Sequence, residues 1–263
     1  MNPEKVVNSL VPQLKEFLNG SPAVLGVSGG VDSAVVLALC VRAVHKQRIL
    51  PIIMPYGIQS IKDSVEVCKA FDIDNYQVIN IQVQVDSFCF LLKSCLRFFS
   101  KILNVSSDDK LDVVTQGNVK ARVRMMLLYA IANSFHGRVI GTTNKSEYYT
   151  GYFTKWGDGA CDCEPIIDLY KTEVYEIAEF LNVPICSIAK PPSAELWEGQ
   201  TDEQEMGVPY NKLDLFLANI VGNFDKEDFE FGSFEGDGLD KVIDLILGSS
   251  HKRVPPVPFS IGT

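Results

Sequence analysis

Between Glu4 and Leu18, apolar residues fall at 6, 7, 10, 11, 14, 17 and 18, the spacing of one helical face. A short unbroken apolar run, Val24 to Val27, predicts a buried strand, and Val31 to Val44 predicts a buried helix. Ile49 to Met54 is a second strand-like run, closed by Pro55-Tyr56-Gly57. A helix near 60–71 and a strand near 76–83 follow. The first 85 residues thus alternate helix and strand, the order of a parallel sheet covered on both faces. Further on, the pattern predicts a helix over Asp86 to Leu103, a loop at Ser106 to Asp109, a long helix across 115–135 and a strand from Arg138 to Ile140. The expected fold is α/β, a doubly wound, Rossmann-like open parallel sheet. Residues 151–165 and 190–208 read as long functional loops. A last helix near 238–249 leads into His251-Lys252-Arg253 and a Pro-rich tail expected to fold back over the crevice. No internal repeat or low-complexity tract interrupts this scheme.

The chemistry concentrates where the first strand meets its helix, in Gly26-Val27-Ser28-Gly29-Gly30-Val31-Asp32-Ser33. Gly29 and Gly30 permit a backbone path and a close approach that a Cβ would block. Ser28, Ser33 and the free N–H groups of the helix start can surround an anion. Asp32 would repel a phosphate but suits a carboxylate holding Mg²⁺ against one. The plain alternative is a strand-to-helix turn with Gly, Asp and Ser as turn and cap residues. Neither Gly-x-x-x-x-Gly-Lys-Ser/Thr nor Gly-x-Gly-x-x-Gly is present, which excludes a Walker loop and a dinucleotide fingerprint. In an open α/β sheet, ligands bind beyond the carboxyl ends of the strands. Gly141-Thr142-Thr143-Asn144-Lys145 begins at such an end, so the two loops should face one crevice.

Composition narrows the classes. The chain has 263 residues, 46% hydrophobic, enough for one large domain or two small ones without disulfides. A net charge of −9 argues against a large nucleic-acid footprint. No signal core or 18-residue apolar stretch occurs, so neither export nor a membrane span is expected. Seven cysteines without a Cys-x-x-Cys pair, and three histidines, weigh against zinc and point to reduced thiols in the cytoplasm.

The glycine loop resembles the pyrophosphate-binding loop of the N-type ATP pyrophosphatases, with their adenine nucleotide alpha hydrolase-like fold. Six further segments resemble the NAD synthetase family: Gly117 to Arg122, Gly141 to Glu147, Gly151 to Gly159, Asp168 to Thr172, Lys190 to Ser193 and Gly199 to Glu203. The closing His251-Lys252-Arg253 is similar too. The ammonia-dependent members are the nearest in kind. The resemblance implies that ATP adenylates the nicotinate carboxylate of deamido-NAD, releasing pyrophosphate, and that ammonia then displaces AMP to leave NAD.

By position in these motifs, Gly26, Val27, Ser28, Gly29, Gly30, Val31, Asp32 and Ser33 hold the ATP phosphates. Asp32 and Glu147 hold Mg²⁺, Thr142 and Ser193 touch ATP, and Lys171 neutralises charge as pyrophosphate leaves. Arg122, Lys155, Asp162, His251 and Lys252 match contacts to deamido-NAD. As bare residues, Glu147 could be a solvated helix-start acid, Lys171 a surface lysine and His251 a surface imidazole. The family also implies a homodimer. Phe88, Phe90, Leu91, Leu92, Phe98 and Phe99 offer apolar surface for it, although core packing explains them equally well.

Two departures stand out. Cys161 and Cys163 flank Asp162 where the motif more often has small or apolar residues. Tyr56 to Gln59, in the adenine region, keeps a polar Gln with no Arg beside it in sequence, so the adenine contacts stay unassigned. The whole chain reads as a single synthetase domain with no N-terminal glutaminase or nitrilase domain. Free ammonia is then the expected donor, unless a separate glutaminase subunit delivers it. Two rivals remain: another enzyme of the superfamily, GMP-synthetase-like or tRNA-modifying, and an ATP-sensing module without turnover. The acidic charge, the missing Cys-x-x-Cys pair and the retained Asp32, Glu147 and Lys171 weigh against them.

Overall fold

The computed structural model describes residues 1–104, 111–221 and 238–259. The first helix, α1 (Pro3–Leu18), starts with proline at its first turn, where the missing N–H costs nothing, and with the Asn2 side chain accepting from Lys5 N at 3.0 Å. Strand β1 (Ala23–Gly26) runs into α2 (Val31–Ala43), β2 (Ile49–Ile53) and α3 (Lys62–Ala70). After β3 (Gln77–Val78) come α4 (Gln82–Leu103), α5 (Val113–Phe135) and β4 (Arg138–Val139). The remaining elements are α6 (Lys145–Thr150), α7 (Lys171–Phe180), α8 (Ile185–Ile188), α9 (Asp202–Met206), α10 (Tyr210–Val221) and α11 (Leu239–Gly248).

All strand pairs are parallel, in the order β3-β2-β1-β4. Alternate side chains of each strand enter opposite layers. Ala23, Leu25, Ile49 and Ile53 pack with α1, α2 and α7, whereas Val24, Ile52 and Val139 pack with Met125, Leu128 and Ala132 of α5. The doubly wound sheet is therefore observed. The chain runs outward from β1 to β3 and returns to β4 on β1's other side, which places the switch-point crevice beyond β1 and β4. A separate apolar cluster of Met206, Leu213, Leu217, Val242 and Ile246 joins α9, α10 and α11.

Several expected boundaries move. The strand expected over 76–83 is paired only at Gln77 and Val78, and its last residues enter α4 at Gln82, because Ile81 and Val85 supply a helical apolar face against α5. The helix expected from Asp86 thus begins four residues earlier. Within the 190–208 loop lies the short α9. The loop expected at Ser106 to Asp109 lies outside the described residues. Beyond α11, a single 3-10 turn at Ser250–Lys252 folds back onto 151–155, while Val257 and Phe259 of the Pro-rich tail stay exposed.

Candidate functional site

The glycine loop is held by its own serines. Ser33 Oγ accepts from Ser28 N at 3.2 Å and donates to Gly30 O at 3.1 Å, while Gly30 N donates to Ser28 Oγ at 3.2 Å. Gly29 sits at φ +83°, and a Cβ there would lie 2.8 Å from Asp63 Cβ and Ser64 N of α3. Both the conformation and the space require glycine.

Asp32, in the first turn of α2, faces the loop after β4. Asn144 Nδ2 donates to its Oδ1 at 2.9 Å and Lys171 Nζ to its Oδ2 at 2.5 Å. Lys171 Nζ also donates to Glu147 Oε1 at 3.1 Å. Glu147 completes a reciprocal cap on α6, with Asn144 Oδ1 accepting from Glu147 N at 3.0 Å and Glu147 Oε2 accepting from Asn144 N at 3.3 Å. The readings of Glu147 as a solvated acid and of Lys171 as a surface lysine fail here, since Lys171 is only 2% exposed. Burial lifts the Glu147 carboxyl well above the usual range, against the pull of Lys171 and with the repulsion of Asp32. Burial opposes the Lys171 charge, but Asp32 and Glu147 outweigh it and hold the ammonium above its ordinary range. The Lys171 backbone is fixed from below, where Ser146 Oγ accepts from Lys171 N at 2.9 Å and donates to Asp214 Oδ1 of α10 at 2.5 Å.

These groups line a cavity of about 390 Å³, of a size suited to a small ligand. Gly26, Val27, Ser28, Gly30, Val31, Asp32, Ser33, Thr142, Glu147, Lys171 and Ser193 all border it, whereas Gly29 does not. Gln59, in the segment expected to face adenine, has no Arg near it in sequence but one beside it in the fold. Arg124, distant in sequence on α5, reaches Gln59 Oε1 at 3.4 Å and Met54 O at 3.2 Å, and Gln59 Nε2 donates to Glu195 O at 2.8 Å. Only its register on α5, one turn beyond Lys120, could have pointed to it.

The dinucleotide candidates fare unevenly. Lys252 borders the cavity, whereas Arg122, Lys155, Asp162 and His251 do not. Asp162 is engaged behind the sheet edge, with Oδ2 accepting from Val139 N at 2.8 Å and Oδ1 from Tyr129 OH at 3.3 Å. Lys252 Nζ donates to Gly151 O and Phe153 O at 2.7 and 2.8 Å, and Lys155 Nζ donates to His251 O. Arg122 Nη2 reaches Lys155 O at 3.3 Å. These cations converge on one rim and are met by carbonyls. The sequence reading also missed Asp158, Gln200, Asp202 and Glu205, which border the cavity from its long loops. All seven cysteines are free thiols, including Cys161 and Cys163. Three or more His, Cys, Asp or Glu side chains nowhere gather as a metal cluster among the described residues.

A phosphate loop without a Walker lysine, at the switch point of a doubly wound sheet and faced by buried opposite charges, defines a nucleotide-dependent α/β enzyme of the adenine nucleotide alpha hydrolase-like class. The NAD synthase family model matches residues 4–256. An NH(3)-dependent NAD(+) synthetase from Thermococcus sibiricus is 44% identical over 259 residues, covering 96% of each chain. Among solved structures, an NMN synthetase from Francisella tularensis superposes with a TM-score of 0.83 at 32% identity, covering 99% of this chain and 100% of that one. An NH3-dependent NAD synthetase from Campylobacter jejuni gives a TM-score of 0.77 at 28% identity over the same shares. The chain belongs to the NAD synthase family.

Proposed function

We propose that this chain amidates deamido-NAD with ammonia at the expense of ATP, giving NAD, AMP and pyrophosphate. The observation that carries this reading is the buried triad of Asp32, Glu147 and Lys171 beside the glycine loop. A carboxylate is a poor acyl donor, because its leaving group would be oxide. Its oxygen therefore attacks the α-phosphorus of ATP, the bond to the β-phosphate oxygen breaks, and pyrophosphate leaves. Ammonia then adds to the acyl carbon, loses a proton, and expels AMP. Ser28, Gly30 and Ser33 hold the triphosphate, Thr142 and Ser193 touch ATP, and Lys171 meets the charge that grows on pyrophosphate.

Asp32 and Glu147 fit Mg²⁺: they are hard oxygen donors at the phosphate loop, and Lys171 stands between them as a cation in the free protein. When bound, Mg²⁺ shields the triphosphate charge and polarises the α-phosphorus. Lys252, at the edge of the cavity, and Arg122, Lys155, Asp162 and His251, outside it, receive deamido-NAD, with a second subunit closing that side. The homodimer is supported by α4, where Phe90 is 72% exposed and Phe98 61%, with Phe88, Leu91 and Phe99 also exposed and Leu92 half-buried. Ammonia comes from solution or a separate glutaminase subunit, with 1–263 acting as one synthetase domain, in keeping with NH(3)-dependent relatives of matching length. No described helix is long and apolar enough to cross a membrane, and free thiols suit the cytoplasm.

A second reading comes from the Francisella neighbour, named for NMN: the acceptor would be the nicotinate mononucleotide. One assay separates them. With ATP, Mg²⁺ and ammonium, deamido-NAD should yield NAD and AMP in equal amounts and no ADP. Faster turnover of the mononucleotide would favour the second reading, and AMP from neither would reject both.

A further inference from the structure

Beneath the Gly141–Asn144 turn lies a carboxylate that neither the family motifs nor the reaction above uses. Residues 162–164 run beside β4 as an extra rung: Asp162 N donates to Val139 O at 2.9 Å, Ile140 bridges Cys163, and Gly141 N donates to Cys163 O at 2.8 Å. This rung delivers the Glu164 side chain under the turn. Its Oε2 accepts from Thr143 N at 3.0 Å. The carboxylate lies flat against the Gly141 backbone, so closely that a Cβ on Gly141 would fall 2.4 Å from Glu164 Cδ. From Thr143 the path continues through Asn144, which donates to Asp32 Oδ1 at 2.9 Å and caps α6 together with Glu147. Gly141 and Thr142 border the cavity and Glu164 does not.

We infer that Glu164 is a positioning residue for nucleotide: by holding the Thr143 N–H and the flat face of Gly141, it sets the turn that presents Thr142 to ATP and Asn144 to Asp32. This deepens the function proposed above and rests on it only for the identity of the nucleotide. Burial lifts the Glu164 carboxyl to about 7, opposed by hydrogen bonds from Cys161 and Thr143, so the group is held among donors away from bulk water. An amide at the same place keeps one acceptor for Thr143 N–H. A methyl or thioether does not.

The test is ATP binding by titration calorimetry with ATP and Mg²⁺, alongside KM values for both substrates, in Glu164→Ala, Glu164→Gln and Glu164→Met. Glu164→Ala and Glu164→Met should weaken ATP about tenfold, the loss of one buried hydrogen bond. The KM for deamido-NAD should stay within about twofold, and Glu164→Gln should recover most of the ATP affinity. Gly141→Ala should cost much less ATP affinity in the Glu164→Ala background than alone, because the clashing carboxylate is gone. Unchanged ATP affinity in both Ala and Met variants would overturn the assignment. So would equal losses for both substrates, Gln behaving as Ala, or an additive Gly141 pair. If Glu164→Ala fails to fold, the Met and Gln variants, which keep the volume, decide. A wild type that binds ATP but makes no NAD would reject the proposed function while leaving this test intact.

Discussion

The two ends of the candidate site are built by opposite means. At the proposed phosphate end, Asp32, Glu147 and Lys171 come from three elements and meet as direct ion pairs of 2.5 and 3.1 Å below the surface. At the proposed dinucleotide end, Arg122, Lys155 and Lys252 donate to backbone carbonyls of 151–155 and 251–254. The first arrangement sets one buried ammonium against two carboxylates of the same chain. The second gathers three cations from α5, the 151–155 segment and the turn after α11, with the Asp158 carboxylate acting on Lys252, and suits an anionic ligand. Preorganised opposite charges fit the end where bonds break, and carbonyl-held cations fit the end that recognises and releases.

The comparison is broken most severely at Asp32. Asp32→Ala should abolish Mg²⁺-dependent formation of AMP, by about 10³-fold or more, in a chain that still folds but melts at a lower temperature, because Lys171 loses one buried partner. Near-normal turnover would remove Asp32 from the metal site. Next, Lys171→Met should lower kcat by about 10²-fold and also destabilise the fold, because two carboxylates lose their buried partner. Stopped turnover without any fall in stability would show that the ion pairs are not structural.

At the other end, Lys155→Ala should raise the KM for deamido-NAD by about tenfold with the ATP KM spared, as expected for one charge-assisted contact. Equal effects on both substrates would merge the two ends into one. The smallest effect concerns pH. Burial moves Glu164 from an ordinary 4.5 to about 7, so the folded protein holds a proton that the unfolded chain has released. Its contribution to stability therefore falls as pH rises from 4.5 to 7 and is level above. Relative to wild type, Glu164→Gln should gain stability across that window in chemical denaturation, and a constant difference would refute the shift.

How much of this was legible beforehand follows from where each signal resides. The strand–loop–helix of residues 24–33 carries its geometry locally, in glycines, serines and an apolar run, so the sheet, the crevice and Asp32 could be read directly. Glu147 and Lys171 were legible through motifs, yet their burial was not, since it depends on α6 and α7 closing over the loop. The end of β3 was misplaced because Ile79 and Ile81 suit a strand as well as a helix start, and contact with α5 decides between them. Arg124 and Glu164 were missed for a related reason. Each acts across the fold on a residue distant in sequence, and neither stands in a run whose spacing announces it.

The central claim, that a carboxylate is activated by attack on ATP at the buried charged end, is tested most directly with oxygen label. Deamido-NAD carrying ¹⁸O in its nicotinate carboxylate is turned over with unlabelled ATP, Mg²⁺ and ammonium, and the products are weighed by mass spectrometry. One labelled oxygen is expected in AMP and none in pyrophosphate. Label in inorganic phosphate or pyrophosphate, or NAD formed with unlabelled AMP, would contradict it.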